Sequence, residues 1–401
     1  MALPSAGPVS GSRGAAFLLV VLQLLSSFGV AQPDVLAEEE ARKLYRQAVM
    51  QLQRSRYDEA AELHLQALAL RESTLPPGDL AIADSLMALG GLYRNRGWYV
   101  EAEPYLTRGL AIRDAALGPD HPAVAHGLME LARVYRTQDR FAEAEPLARR
   151  TLRIMERVHG PNDPRVAEVL NELALNFHNQ QRYDEALPYY ERALGIREQS
   201  LPENHILTAR SLSNLAALHH DNGDFVQAER FYQRALDAKR STLGPSHPDV
   251  AVTLRNIGRM YAQQGRGEDA ERYFQEAVAM LEVTTGTESG VVAGTLANLA
   301  ELYIGQGRLE DAEALLTRAV RIWEEVLDSQ HPAVARALSQ LALLYLEQGR
   351  LEESEELQLR SIAILERAMG PQHSDLVIAR SNLALVQAAQ MQREKIDSPS
   401  P

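Results

Sequence analysis

The 401-residue chain contains no cysteine, which excludes disulfide bonds, thiolate metal ligands and a cysteine nucleophile. Basic residues are also fewer than acidic ones, 41 against 54, so the formal net charge is −13. A nucleic-acid-binding protein needs a basic face for the phosphates, and we therefore expect no nucleic-acid partner. Apolar residues still make up 45% of the chain, which is enough to build a buried core.

Long apolar runs are missing as well, and after the N-terminal segment none approaches the roughly 20 residues of a membrane span. Residues 1–31 differ from the rest, because Arg13 precedes a largely apolar run over 15–25 and small residues follow up to Ala31. This order is typical of a secretory signal peptide cut before Gln32. We predict a periplasmic or secreted protein without an integral membrane span. The alternative is an uncleaved leader that anchors the chain to a membrane.

A loop sequence recurs at intervals of 42 residues. Gly118-Pro119-Asp120-His121-Pro122 returns as Gly160-Pro161-Asn162-Asp163-Pro164 and as Gly244-Pro245-Ser246-His247-Pro248. The interval predicts eight units over residues 34–369. Their predicted starts lie near residues 34, 76, 118, 160, 202, 244, 286 and 328. A half-unit over 370–391 is predicted as a single capping helix with a polar face, and 392–401 as a disordered tail.

Each unit is predicted to be a pair of antiparallel helices. In the first helix, apolar residues recur at i, i+3, i+4 and i+7, which is one face of a 3.6-residue helix. Leu128, Leu131, Ala132 and Tyr135 illustrate this spacing. Small residues also recur at one position of the first helix, and we interpret them as points where the paired helices cross closely. That set is Gly90, Ala132, Ala174, Ala216, Gly258, Ala300, Ala342 and Ala384.

Histidines recur at the start of the first helix, and we predict that they cap it. His121, His205, His247, His331 and His373 share their position with Asp79, Asp163 and Ser289. Asp and Ser are common N-cap residues, and proline commonly follows at the first helical position. Equivalent histidines lie two helix diameters apart, about 16–20 Å, so they cannot share one metal ion.

No catalytic constellation is evident in the sequence. His178 and His220 share another position, but no acidic residue stands at i+3 or i+4 of His178. Phosphate-binding loops and the common hydrolase motifs are missing too. We therefore expect no enzyme activity, no cofactor and no metal site.

The repeated strings Leu-Ala-x-x-Tyr, Gln-Gly-Arg, Glu-Ala-Glu, Arg-Ala-Leu and Gly-Pro-x-His-Pro resemble the tetratricopeptide repeat of the kinesin light chain and nephrocystin-3 type. The resemblance covers residues 34 to about 390. It implies an all-α, right-handed superhelical solenoid of antiparallel helix pairs with a C-terminal capping helix. It also implies a protein-protein interaction scaffold, whose first helices line a concave groove for an extended or helical protein segment.

In similar repeats, an asparagine on the first helix bonds the backbone of the ligand, because an amide both donates and accepts. The matching residues here are Asn214, Asn256, Asn298 and Asn382, whereas Glu130, Glu172 and Gln340 stand at this position in other units. Four arginines on the same face suit carboxylates of a partner. They are Arg210, Arg255, Arg259 and Arg336.

These residues predict a groove that is acidic near its start and basic in its middle, and a protein or peptide as its partner. One alternative is that they are ordinary solvated positions of surface helices. Another is that the chain is a structural subunit, which self-associates end to end through its terminal helices.

Overall fold

The structure is a computed structural model that describes residues 33–54 and 56–397. Within these ranges the regular secondary structure consists of 17 α-helices and no strand, which confirms the predicted all-α class. None of the described helices combines the length and the apolar character that crossing a bilayer requires. The predicted signal peptide, residues 1–31, lies outside the described residues.

The chain divides into two compact units, with the boundary between Val134 and Tyr135. The first unit holds α1 (Pro33–Gln53), α2 (Tyr57–Thr74), α3 (Leu80–Asn95), α4 (Tyr99–Leu117) and most of α5 (Pro122–Thr137). The second unit begins with the end of α5 and α6 (Phe141–His159), α7 (Pro164–Asn179), α8 (Tyr183–Ser200), α9 (Ile206–Asp221), α10 (Phe225–Leu243) and α11 (Pro248–Gln263). It continues with α12 (Gly267–Thr285), α13 (Gly290–Gly305), α14 (Leu309–Val326), α15 (Pro332–Glu347), α16 (Leu351–Met369) and α17 (Ser374–Asp397).

Odd-numbered helices are the first helices of the repeats, and even-numbered helices are the second ones. Within each compact unit, a first helix packs most extensively on the second helix of its own repeat, as α9 does on α10. Each second helix then packs on the next first helix, as α10 does on α11. Within each unit, neighbouring helices therefore bury apolar residues against one another, which is how stacked repeats share one core.

The predicted caps are confirmed at every first helix from α3 to α17. At α15, Nδ1 of His331 accepts a hydrogen bond from the backbone N–H of Ala333 at 3.1 Å. The other seven capping side chains make the equivalent bond, namely Asp79, His121, Asp163, His205, His247, Ser289 and His373. Because Nδ1 is the acceptor, the proton of each neutral capping histidine is on Nε2.

The close helix crossings follow the small residues. Ala174 and Ala216 are fully buried, and a Cβ atom built on Gly258 would lie 3.0 Å from the ring of Phe274 on the paired helix. In the first unit, a Cβ on Gly90 would overlap the side chain of Leu106. Side chains larger than alanine therefore have little room at this position.

The last helix departs from its prediction in two respects. It continues to Asp397 instead of ending near residue 391, where a disordered tail was predicted to begin, and Arg393 in this extra stretch pairs with Glu352 of α16. Its outer face is also less polar than expected, with four apolar side chains more than half exposed. These are Val377, Ile378, Leu385 and Met391.

The second unit makes a contact between its two ends. Oδ2 of Asp139, in the turn before α6, accepts a hydrogen bond of 2.9 Å from the backbone N–H of Ser374 at the start of α17. Nε2 of His373 lies 3.7 Å from the same carboxylate oxygen. The two partners are 235 residues apart in sequence, so the stacked repeats of this unit bring its ends together.

Candidate functional site

All eight predicted site residues lie on first helices of the second unit. Arg210 and Asn214 are on α9, Arg255, Asn256 and Arg259 on α11, and Asn298 on α13. Arg336 is on α15 and Asn382 is on α17. The four asparagines share one position of the repeat and therefore form a row across first helices, as the 42-residue interval requires.

The four asparagines of this row differ in what they bind. Nδ2 of Asn214 donates to Oδ1 of Asn171 at 3.0 Å, and Nδ2 of Asn382 lies 3.4 Å from Oγ of Ser339. Both amides thus contact the preceding first helix. Asn256 and Asn298 are partly exposed and make no side-chain hydrogen bond to another described residue. Their amides are free to bind a ligand.

The four arginines differ in the same way. Arg336 pairs with Asp375 at 3.3 Å, so its charge is already compensated. Arg210, Arg255 and Arg259 are paired with no carboxylate among the described residues. Burial lowers the pKa of Arg255, and the neighbouring Arg259 lowers it further, because two like charges disfavour each other. Nε of Arg255 is buried without a hydrogen-bond partner.

A cavity of about 500 Å³ lies beside two of these groups, Arg259 and Asn298. Arg259 and Asn298 line it together with His220, Phe274 and Glu301, so that α9, α11, α12 and α13 all contribute. The floor is partly aromatic and the rim carries charge and amide groups. This mixture is typical of sites that bind organic groups or peptide side chains.

The cavity exists because α12 begins with a glycine. In every other repeat the equivalent residue is aromatic or leucine, as in Tyr57, Tyr99, Phe141, Tyr183, Phe225, Leu309 and Leu351. Two of these rings pack on the end of the preceding first helix, with Tyr183 at 5.6 Å from His178 and Phe225 at 6.1 Å from His220. Gly267 has no ring to place there. A Cβ atom at this point would already lie 2.8 Å from Nε2 of Gln306.

A row of polar contacts between repeats also ends at this cavity. Nε2 of His178 and Oδ2 of Asp221 are 2.8 Å apart, and in the next repeat the side chain of Gln263 hydrogen-bonds His220. One repeat further, the equivalent residues are Ala262 and Gly305, which have no polar side chain. The row therefore stops and leaves space beside Arg259.

Asp221, the partner of His178, is a functional residue that spacing within one helix does not reveal. The carboxylate comes from the next repeat, 43 residues on, and adding one repeat length to the search would have found it. Burial by itself raises the pKa of Asp221. The hydrogen bond from His178, together with the charges of His178, His220 and Arg259, outweighs burial and lowers this pKa. Among the described residues, no group of three or more His, Cys, Asp or Glu side chains is placed to hold a metal ion.

Comparison with known families agrees with this architecture. The sequence profile of the tetratricopeptide repeat matches residues 39–77, 79–157, 125–199, 207–282, 291–367 and 337–395. The chain therefore belongs to the tetratricopeptide repeat family. A search of curated proteins finds no match.

Several solved structures are similar to this chain in fold. A Podosopora anserina protein, described as a kinesin light chain with nearly identical TPR-like repeats, is 24% identical with a TM-score of 0.46, covering 50% of this chain and 95% of that one. BtubC from P. vanneervenii is 23% identical with a TM-score of 0.44, and the match covers 59% of this chain and 92% of that one. A signal-transduction ATPase from Pyrococcus horikoshii, which has a tetratricopeptide repeat sensor, is 16% identical with a TM-score of 0.48, covering 83% and 50%.

Proposed function

We propose that this protein is a non-catalytic scaffold that binds a protein segment along the first helices α9, α11 and α13. Tetratricopeptide repeats are protein-protein interaction modules, which supports the general class. The observation that supports this place is the cavity of about 500 Å³ beside Arg259 and Asn298. Arg259 forms no ion pair with a described carboxylate, and the amide of Asn298 makes no hydrogen bond to another described residue.

The charge of this surface favours a segment with carboxylates. A guanidinium group that is partly buried without a counter-ion is unfavourable, and a carboxylate from a ligand relieves that cost. Arg255 and Arg259 stand one helical turn apart, so they offer two such contacts. Asn256 and Asn298 have free donors and acceptors for the backbone of an extended segment. The helices are preformed, which lowers the ordering cost of binding.

Replacing both Asn256 and Arg259 with alanine should weaken binding by at least about tenfold, because an amide contact and a charged contact are lost together. Quantitative crosslinking to proteins of a native extract, followed by affinity measurement with the captured partner, checks this. The melting temperature should not change, since neither side chain bonds a described residue. Arg153→Ala, an exposed change on the second helix α6, is the matched control. Equal binding by the double variant and this control would refute the site.

The second candidate function is self-association through the last helix. The observation in its favour is the exposed apolar side chains of α17, namely Val377, Ile378, Leu385 and Met391. A single helix rarely leaves so many apolar groups in water unless another surface covers them.

If two copies pair through α17, light scattering on the full chain should give twice the mass of 44.4 kDa. Val377→Ser with Leu385→Ser should restore the monomer mass, because the apolar area between the copies is reduced. The control is Val283→Ser, which changes an exposed valine on α12. A monomeric wild-type protein at high concentration would exclude this candidate.

A further inference from the structure

A second cavity, of about 440 Å³, lies at the start of α9 in the repeat that spans residues 202–243. Its wall is formed by the end of α8, the loop before α9, the first two turns of α9 and the last third of α10. It shares no lining residue with the cavity beside Arg259. Any role of this second cavity is therefore independent of the proposed groove.

Two departures from the repeat pattern shape the cavity. Thr208 stands where the repeats after the first have an aliphatic residue of equal or larger size, namely Ile82, Val124, Val166, Val250, Val292, Val334 and Leu376. Ala238 stands where the others have Leu70, Ile112, Ile154, Ile196, Met280, Ile322 and Ile364. Loss of the long side chain at position 238 removes core volume, and the hydroxyl at position 208 makes the remaining space polar.

The hydroxyl of Thr208 has no partner. Its side chain is buried, with 7% of the residue exposed, and Oγ1 makes no hydrogen bond within the structure. A buried hydroxyl without a hydrogen bond costs about 1–3 kcal/mol, so an apolar residue would be the more stable choice here. Folding thus gives no reason for a polar residue at this position.

Two carboxylates in the same wall are also departures from the repeat pattern. Glu203 stands where most other repeats have proline, and Asp237 is the one acidic residue at its position in the eight repeats. Glu203 makes no side-chain hydrogen bond or ion pair with a described residue, and Asp237 accepts a hydrogen bond only from Gln233 at 2.8 Å. Glu198 is already compensated by Arg234 at 2.8 Å. The cavity therefore keeps two uncompensated negative charges.

We propose that this cavity binds a small organic cation, a primary ammonium group on an alkyl chain. The ammonium group meets the carboxylates of Glu203 and Asp237, and the hydroxyl of Thr208 accepts a further N–H. The alkyl chain lies on the apolar wall of Leu212 and Ala238. A volume of about 440 Å³ matches the range of organic ligands, and no group of side chains among the described residues fits a metal ion.

The test is calorimetric titration of the full chain with cadaverine at low salt. The wild-type protein should bind it, and binding should weaken as salt is added, because the contact is between charges. Glu203→Gln with Asp237→Asn should weaken binding by at least about tenfold. Glu310→Gln, which removes an exposed carboxylate on α14, is the control and should leave binding unchanged.

A second variant removes the hydroxyl at position 208 and fills the space at position 238 with residues that other repeats use. Thr208→Val with Ala238→Ile should abolish cadaverine binding while the melting temperature stays the same or rises, since aliphatic packing is restored. If this variant does not fold, the single change Asp237→Asn still tests the charge contact. Titration with a lysine whose backbone groups are blocked distinguishes two sources of the cation. Binding of the blocked lysine indicates a lysine side chain of another protein, whereas binding of cadaverine alone indicates a free amine. Binding to the filled variant as tight as to wild type, or no binding of either amine to wild type at millimolar concentration, would overturn the proposal.

Discussion

Replacing His64 with leucine should raise the stability of the protein at pH 7 and remove most of its sensitivity to mild acid in the first compact unit. His64 on α2 is fully buried, neither ring nitrogen has a hydrogen-bond partner, and its nearest ring is Tyr45 at a centroid distance of 4.8 Å. Two buried nitrogens without partners cost about 1–3 kcal/mol, which leucine avoids. Leucine also fits the position, since Leu106 and Leu316 occupy it in other repeats.

The acid sensitivity follows from the pKa of this histidine. Burial, and to a smaller extent the charge of Arg71, lowers the pKa of His64 from 6.5 to about 4. Between pH 6.5 and about 4, His64 therefore binds a proton in the unfolded chain but not in the folded chain. Protonation of His64 therefore takes nothing from the free energy of unfolding above pH 6.5. This free energy falls as the pH decreases through the window, by up to about 3 kcal/mol.

Urea unfolding at pH 7 and pH 5, followed by circular dichroism, measures both effects. The His64→Leu variant should be more stable than the wild-type protein at both pH values, and by a larger margin at pH 5. His126→Leu changes an exposed histidine of the same unit and should keep the acid sensitivity. Burial also lowers the pKa of His331 to about 4, which adds an acid sensitivity in the second unit. All proteins compared therefore also carry His331→Asn, which removes this second contribution and keeps a capping side chain. An unchanged pH dependence in the His64 variant would contradict this account.

Replacing Ala216 with leucine should destabilise the repeat of α9 and α10 by about 1–3 kcal/mol, the usual cost of overpacking. Ala216 is fully buried in the same core cluster as Tyr232 on the paired helix. The equivalent pair in the next repeat is Gly258 and Phe274, where an added Cβ atom lies only 3.0 Å from the ring. The longer side chain therefore has to displace either Tyr232 or the helix backbone.

The double variant gives the sharper test. Tyr232→Ala alone should cost about 3–5 kcal/mol because it leaves a cavity. Combined with Ala216→Leu, the loss should be smaller than the sum of the two, since the leucine enters the space that the ring has left. Hydrogen exchange of the amides of α9 and α10 measures the local stability, which suits a stack of repeats that opens segment by segment. Ala217→Leu, at a partly exposed position, is the control, and strict additivity of the two core changes would argue against the close crossing.

The accuracy of the sequence predictions depended on the distance over which each feature acts. The caps at His205, His247 and His331 were correctly predicted, because an N-cap depends on residues two positions apart. The close crossings at Ala174 and Ala216 were correct for a similar reason, since they depend on one helix pair. The predicted end of α17 near residue 391 was wrong, because the last turns of this helix depend on the pairing of Arg393 with Glu352 of another helix.

The candidate site was only partly accessible to the same reasoning. The pattern correctly placed Asn256, Arg259 and Asn298 on first helices, but it treated all eight predicted residues alike. It could not tell that Asn214 and Arg336 already have partners, since those partners stand on neighbouring repeats. Comparing equivalent positions of the repeats would have identified Gly267, but not the volume of the cavity beside it.

The sequence by itself determined the class of this protein, the length of its repeat, and the start of its first helices after residue 78, because all three depend on contacts within 42 residues. The tertiary structure decided which polar side chains remain without partners, as at Arg255, His64 and Thr208. It also decided the contact of Asp139 with Ser374, which are 235 residues apart. Small rotations between successive repeats add up over such a distance, and no single repeat carries enough information to specify their sum.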